Sequence, residues 1–193
     1  MSISVEEAIR RRRAVRVYEN KPIPDDVLDK VVELALEAPS AFNAQMRDLV
    51  VVRDPKIKQK LYEDSGQKQY LSAPVVFIAL GRTEILPEDA AEILPPALIE
   101  RVEGFQRAKS PAALRESGLR DAMLMAGFLL LAAQGEGLST SPTTGWDEEK
   151  VKAAIGMEGR DDRSVALVVA AGYGAESPQH PGRVQTRRVD DSY

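Results

Sequence analysis

The sequence predicts an α/β or α+β layer domain, and three observations carry that reading. Segments with apolar residues at helical spacing alternate with short apolar runs along the chain. Two of those runs, residues 75–80 and 165–171, contain no polar residue, as expected of central strands covered on both faces. The 193 residues, 44% hydrophobic and 29% charged, are enough for one domain with a sizeable core.

The elements follow in order. Ser4-Val5-Glu6-Glu7 is a capping box and predicts a short helix burying Val5, Ala8 and Ile9. That helix runs into Arg10-Arg11-Arg12-Arg13, after which residues 14–18 read as extended. Pro24-Asp25-Asp26 opens a second helix, with Val27, Leu28, Val31, Val32 and Ala35 on one face. It must stop by Ala38, because Pro39 follows. Residues 49–52 form a β-branched strand, and Asp54-Pro55 starts a helix to about residue 64. After the strand at 75–80, residues 84–118 are helical in pieces separated by Pro87, Pro95, Pro96 and Pro111. The helix over 111–134 becomes apolar nearly all round, so it belongs in a core or an interface; Gly135 and Gly137 end it. Asp147 caps a helix that Gly156 terminates, and 165–171 is the last strand. The tail from Gly172 is rich in Gly, Pro and Arg and has no periodicity.

Composition excludes several functions. The net charge of −4 argues against a general nucleic-acid binder. With no cysteine, disulfides, thiolate nucleophiles and Cys-ligated zinc are impossible, and the chain suits a reducing cytoplasm. His180 is the sole histidine, so a multi-histidine metal site is impossible too, and it lies in a Pro- and Gly-containing loop. The N-terminus lacks a signal peptide's apolar region, and the most apolar stretch is too short for a bilayer. Neither a dinucleotide fingerprint nor a P-loop is present.

Four features remain as candidates. Arg12-Arg13-Ala14-Val15-Arg16 offers guanidinium forks suited to a phosphate, although on chemistry alone it reads first as a solvated basic helix end. Pro39, Ser40, Ala41, Asn43 and Gln45 form a small polar loop; Asn and Gln match the alternating donors and acceptors of a flavin or nucleobase edge, or simply make a loop. Thr143, Thr144 and Gly145 precede Asp147, where backbone amides can donate to an electron-rich atom or merely lead into a capped helix. Gln185-Thr186-Arg187-Arg188 could close over a phosphate or be a frayed terminus.

Together these features resemble the nitroreductase family of FMN enzymes. Arg12, Arg13, Val15, Arg16 and Tyr18 match its opening Arg-Arg-Ser-(Val or Ile)-Arg motif and following aromatic residue, with Ala14 replacing serine. Ala38, Pro39, Ser40, Asn43 and Gln45 match Ala-Pro-Ser-x-x-Asn-x-Gln-Pro-Trp, except that Met46-Arg47 stands where the family has Pro-Trp. Gly137, Leu138, Pro142, Gly145, Trp146 and Asp147 match a later segment in which some members carry glutamate at the position of Thr144. The tail resembles a Lys-Ser-Arg ending, with Gln185 for lysine and Arg187 for arginine.

The resemblance implies an α+β fold, a mixed and mostly antiparallel sheet flanked by helices, in an intertwined homodimer. One domain is expected over residues 1–193, with 172–193 wrapping onto the partner. FMN is the expected cofactor and NADH or NADPH the co-substrate. Arg12 and Arg187 are expected at the FMN phosphate, with Arg13 and Ala14 lining the same strand. Arg16 is expected near the N1–C2=O edge and the Gly145 amide near N5, with Gln67 a further polar candidate. The 39–45 loop should contact the flavin, partly that of the other subunit. The implied reaction is ping-pong reduction of nitroaromatics, quinones or similar acceptors, with no catalytic side chain and no metal. Alternatives on the same fold are flavin fragmentation, oxidation and dehalogenation; a different alternative is a non-enzymatic nucleotide-binding protein. Neither nucleic acid nor a membrane is an expected partner.

Overall fold

The two runs without polar residues become the middle of a sheet. The computed structural model describes residues 3–191. Four strands, β1 (Arg47–Val52), β2 (Val75–Arg82), β3 (Ser139–Thr143) and β4 (Arg163–Gly172), lie in the order β1-β2-β4-β3. Each neighbouring pair is antiparallel. Among the described residues, the one parallel pairing is an isolated bridge between Ala14 and Thr140.

Helices cover both faces, which is why β2 shows no polar alternation. Val75, Phe77 and Ala79 point to one layer, built by α2 (Asp25–Leu36) and α7 (Pro111–Gly135) through Leu28, Val31, Ala35, Met125 and Leu129. Val76, Ile78 and Leu80 point to the other, where they meet Leu61 of α3 (Pro55–Ser65), Tyr70 of α4 (Gln69–Ser72) and Val151 of α8 (Glu148–Ala154). Each large side chain buried in these layers contributes about 1.5–3 kcal/mol. In β4 the alternation slips once. Ala79 pairs with Leu167 but Leu80 with Val165, so Ala166 is an extra residue in a bulge. The broken region after β2 resolves into α5 (Ala90–Ile93) and α6 (Pro96–Arg107), packed around Met46, Leu94 and Val102.

Local signals set the ends of the helices. Ser4 Oγ accepts the Glu7 amide at 3.1 Å and starts α1 (Val5–Arg11). Asp54 and Asp147 accept the Lys56 and Lys150 amides at 2.7 and 3.1 Å. α7 lies so close to the sheet that a Cβ on Gly118 would come within 2.3 Å of the Arg82 carbonyl oxygen. Only glycine allows that backbone-to-backbone approach.

α1 departs from expectation. Ala8 is buried, but Val5 and Ile9 are exposed. α1 packs chiefly on α7, and these two side chains face away from the core clusters. Val5 instead lines an apolar groove of about 580 Å³ with Leu34 of α2 and Phe128 and Leu131 of α7. Met123, Leu124 and Phe128 are also exposed, so the outer face of α7 lacks a cover within the described residues. No described helix is long and apolar enough to cross a membrane.

Candidate functional site

The basic run lies beside β3. Arg12 ends α1, its amide donating to the Ala8 carbonyl at 3.0 Å. The next residues join the sheet edge through the Val15 amide, 3.0 Å from the Thr140 carbonyl. Val15 is buried, and the Tyr18 hydroxyl donates to the carbonyls of Val15 and Ala170 at 2.7 and 3.0 Å. The amides of Arg16 and Val17 donate to Glu176. The backbone between the arginines is therefore fixed, while the Arg16 side chain is exposed.

The arginines then separate by role. Arg13 Nη1 donates to the Arg10 and Arg12 carbonyls at 2.6 and 2.8 Å, closing the C-terminus of α1. Arg12 differs: its Nη1 is buried and has no hydrogen-bond partner. Burial, then the like charges of Arg183 and Arg13, lower its pKa. A buried cation facing other cations is costly by itself and suits an anion at the same place. Arg183 was not among the residues that the sequence suggested. Arg187 sits in a 3-10 turn and is exposed. The side chain of Gln185 lies outside the described part of the molecule.

The far end of β3 offers neutral donors. Ala14 stands beside Thr140, and Thr143 is three residues on, about 10 Å along a strand. The Thr143 hydroxyl is occupied: it accepts from Tyr70 and donates to the Val168 carbonyl at 3.0 Å. Its carbonyl accepts Trp146 Nε1 at 2.9 Å. Burial, the first cause, pushes the Tyr70 hydroxyl up to about 12, which keeps it a donor at neutral pH. Thr144 and Gly145 are exposed, and no hydrogen bond among the described residues takes up the Gly145 amide. A Cβ on Gly145 would lie 3.8 Å from Gln67 Nε2. Gln67 Oε1 accepts Gln69 Nε2 at 2.7 Å, so the Gln67 NH₂ faces Gly145. Arg12, Arg13, Ala14, Arg16, Thr143, Thr144, Gly145 and Gln67 thus share one edge of the sheet.

The 39–45 loop lies at the opposite edge, leading into β1. Three strand spacings separate β1 from β3, about 14 Å. Phe42, Asn43 and Gln45 have φ of 58°, 57° and 51°, the left-handed region that non-glycine residues avoid. Such strain, about 1–3 kcal/mol per residue, persists only where surrounding contacts enforce it. Here Ser40 Oγ accepts the Gln45 amide at 3.0 Å, and Asp121 of α7 accepts the Met46 amide at 3.3 Å. Arg47 donates to the Leu36 and Ala38 carbonyls, tying the end of α2 to the start of β1. The Met46-Arg47 departure is therefore internal: Met46 is in a core cluster, and Arg47 is buried as a helix-end clamp. Burial raises the pKa of Asp121, the Met46 amide and Arg47 opposing it. Phe42 stacks on Phe105 with ring centres 5.5 Å apart, over a pocket of about 230 Å³.

Neither Asp121 nor the clamping role of Arg47 was legible in the sequence. Both depend on α7 and α2 meeting β1 from distant parts of the chain. Among the described residues, no group of three or more His, Asp or Glu is placed to hold a metal ion.

Comparison with known proteins fits this geometry. The nitroreductase family model matches residues 9–173. A Thermus thermophilus protein named NADH dehydrogenase is 32% identical, over 97% of this chain and 95% of its own length. MhqN of Bacillus subtilis, provisionally named an NAD(P)H nitroreductase, is 27% identical over 89% and 88%. A structure from Exiguobacterium sibiricum, provisionally named a nitroreductase and solved in complex with FMN, superposes with a TM-score of 0.88 at 21% identity, covering 100% of this chain and 99% of that one. With the family model spanning most of the chain and a full-length relative nearly one-third identical, the chain belongs to the nitroreductase family.

Proposed function

We propose that this protein is an FMN-dependent NAD(P)H oxidoreductase that carries two electrons to nitroaromatics, quinones or similar electron-poor acceptors in a ping-pong cycle. The observation that carries the reading is the buried, unpartnered Arg12 Nη1 within a group of arginines at the β3 edge. A phosphate fits there chemically, and the exposed Gly145 amide and the half-buried Gln67 side chain offer neutral donors for a flavin ring. The relative named NADH dehydrogenase and the FMN-bound fold neighbour support the same assignment.

The residues divide the work by charge. Arg12 binds the phosphate, which is anionic in every redox state, so it contributes to retention rather than to chemistry. Arg187 is assigned to the same end of the flavin, and Arg13 and Ala14 shape that wall. Arg16, on a backbone fixed by Glu176, places a positive charge where the ring gains electron density. The Thr143–Gly145 turn and Gln67 donate neutral hydrogen bonds to the ring. FMN held by these residues would supply the two-electron hydride chemistry between NADH or NADPH and the acceptor, so no side-chain acid, base or nucleophile is required.

The 39–45 loop cannot join its own β3 edge, because the sheet lies between them. In this reading Pro39, Ser40, Ala41, Asn43 and Gln45 come from a second copy. A homodimer covers the groove between α1, α2 and α7 and the exposed Phe128 and Leu124. The tail from 172 onward starts on its own chain and reaches the partner further on. The cytoplasm is the proposed compartment.

An absorption spectrum of the purified protein, with quinone-dependent NADH and NADPH oxidation, tests the proposal. A flavin spectrum, FMN released on denaturation and multiple turnovers are expected. Well-folded protein that neither carries nor takes up FMN would overturn it.

A further inference from the structure

We infer that the enclosed pocket beneath the Phe42–Phe105 stack is a binding site for a neutral, single-ring phenol. The inference goes beyond the flavin chemistry proposed above and does not depend on it, because the pocket lies within one chain.

Three parts of the chain build the pocket. Val102, Phe105 and Gln106 recur at i, i+3 and i+4 on α6 and so share one face. Ser117 and Asp121, four residues apart, come from α7. The loop before β1 adds Phe42 and Met46. Phe42 has φ of 58°, and its ring lies 23° from parallel with that of Phe105. The Arg101 guanidinium stands 5.8 Å from the centre of each ring. Left-handed backbone at a bulky residue is strained, and such strain gathers at ligand clamps. Phe42 and Phe105 remain 41% and 52% exposed, so the strain does not serve to fill a core. It holds an aromatic roof over a cavity.

The two ends of the cavity differ in chemistry. Met46 and Val102 belong to an apolar cluster and, with the two rings, form an apolar end. Gln106, Lys109, Ser117 and Asp121 supply the polar groups. Gln106 is only 6% exposed, and its Oε1 is buried without a hydrogen-bond partner. An amide oxygen in that state is costly until a donor reaches it. Lys109 Nζ donates to Ser117 Oγ at 3.0 Å, which occupies one of its three protons. Asp121 accepts the Met46 amide at 3.3 Å. Lys109 and Asp121 bring one charge of each sign, so the polar groups favour a neutral ligand over an ion. A phenol hydroxyl donates and accepts at once. It can give its proton to Gln106 Oε1 and accept one from Lys109. The cavity measures about 230 Å³. An apolar cavity of about 150 Å³ takes benzene, so one substituted ring has room here.

Calorimetric titration of the full chain with p-cresol, toluene and benzoate tests the inference. The three share a ring and differ in the polar group. p-Cresol should bind saturably and roughly tenfold more tightly than toluene, with benzoate weakest. Gln106→Leu should erase the preference for p-cresol over toluene and leave toluene binding in place. Phe105→Ala, at an exposed position, should weaken both ligands. Absence of saturable p-cresol binding would overturn the inference, as would equal affinity for p-cresol and toluene or tighter binding of benzoate. A preference for p-cresol that survives Gln106→Leu would do the same. Should Gln106→Leu fail to fold, Phe105→Ala decides: p-cresol affinity that it leaves unchanged puts the ligand elsewhere and overturns the inference. Wild-type protein that binds no flavin would sink the proposed function and leave each of these outcomes readable.

Discussion

Two groups of arginines, at different places on the same sheet, have opposite surroundings. Arg82 and Arg163, at the ends of β2 and β4, share Asp48 and Glu84, at distances of 2.6 to 3.2 Å. Burial works against the charge on Arg82, but Glu84 and Asp48 outweigh it and its pKa rises. Arg12, beside β3, meets burial and further positive charge, and its pKa falls. The residue type is the same, so the difference lies in the partners. Where every guanidinium has an acid, arginine is part of the scaffold. A buried one without an acid needs another partner: Arg47 takes the Leu36 and Ala38 carbonyls, whereas Arg12, in the proposed function, takes the phosphate of a ligand.

Four substitutions break or sharpen this contrast. The largest effect is expected at Gly118, which supports the paired group by resting on the Arg82 backbone. Gly118→Ala should cost about 3 kcal/mol or more, because backbone cannot move aside as a side-chain tip can. Chemical denaturation measures this; a loss below 1 kcal/mol (on the order of a surface change) would show that α7 can lift away from β2 freely.

Next is Arg163→Ala, which strands Asp48 and Glu84 with Arg82 alone. A loss of about 2–3 kcal/mol is expected, since a partly buried network loses its cation. Added phosphate or FMN should not change that loss. Arg12→Ala should have the opposite sign in flavin-free protein. Removing an unpartnered cation beside others should leave stability unchanged or raise it by about 1 kcal/mol or less, while FMN affinity falls by about 1.5–3 kcal/mol. Denaturation with and without FMN separates the two effects. Equal destabilisation by Arg12→Ala and Arg163→Ala would erase the contrast.

The smallest effect belongs to Asp162, which joins the paired group through Arg160 and Arg163. The hydrogen bond from Arg160 chiefly lowers its pKa from 3.8 to about 2. The folded carboxyl is thus the stronger acid, so its contribution is complete above pH 3.8. It disappears as pH falls through about 2. Asp162→Asn should lose that small contribution at neutral pH and flatten the stability curve between those values, so that the two proteins converge near pH 2. Acid titrations of both proteins that lose stability in parallel would remove Asp162 from the network.

The same distinction separates what was legible in the sequence from what was not. The caps at Ser4, Asp54 and Asp147 and the covered strands β2 and β4 followed from neighbouring residues, because hydrogen bonds and side-chain periodicity act over a few positions. Val5 and Ile9 share the spacing of a buried face but are exposed, since spacing gives a face without saying what meets it. The order of the motifs marked Arg12, Arg16, Asn43, Gln45 and Gly145 as one family pattern.

Only the tertiary structure decided how those residues are divided. It set the 39–45 loop and the basic run on opposite edges, turned Arg13 onto the end of α1, and laid residues 173–176 alongside 16–19. It also gave Arg82 an acid from β1 and Arg163 acids from β1 and from the turn after β2. Residue type and local spacing fix whether an arginine is available. Its partners can come from chain segments more than a hundred residues away, as Asp48 does for Arg163, and those are set by how the layers pack.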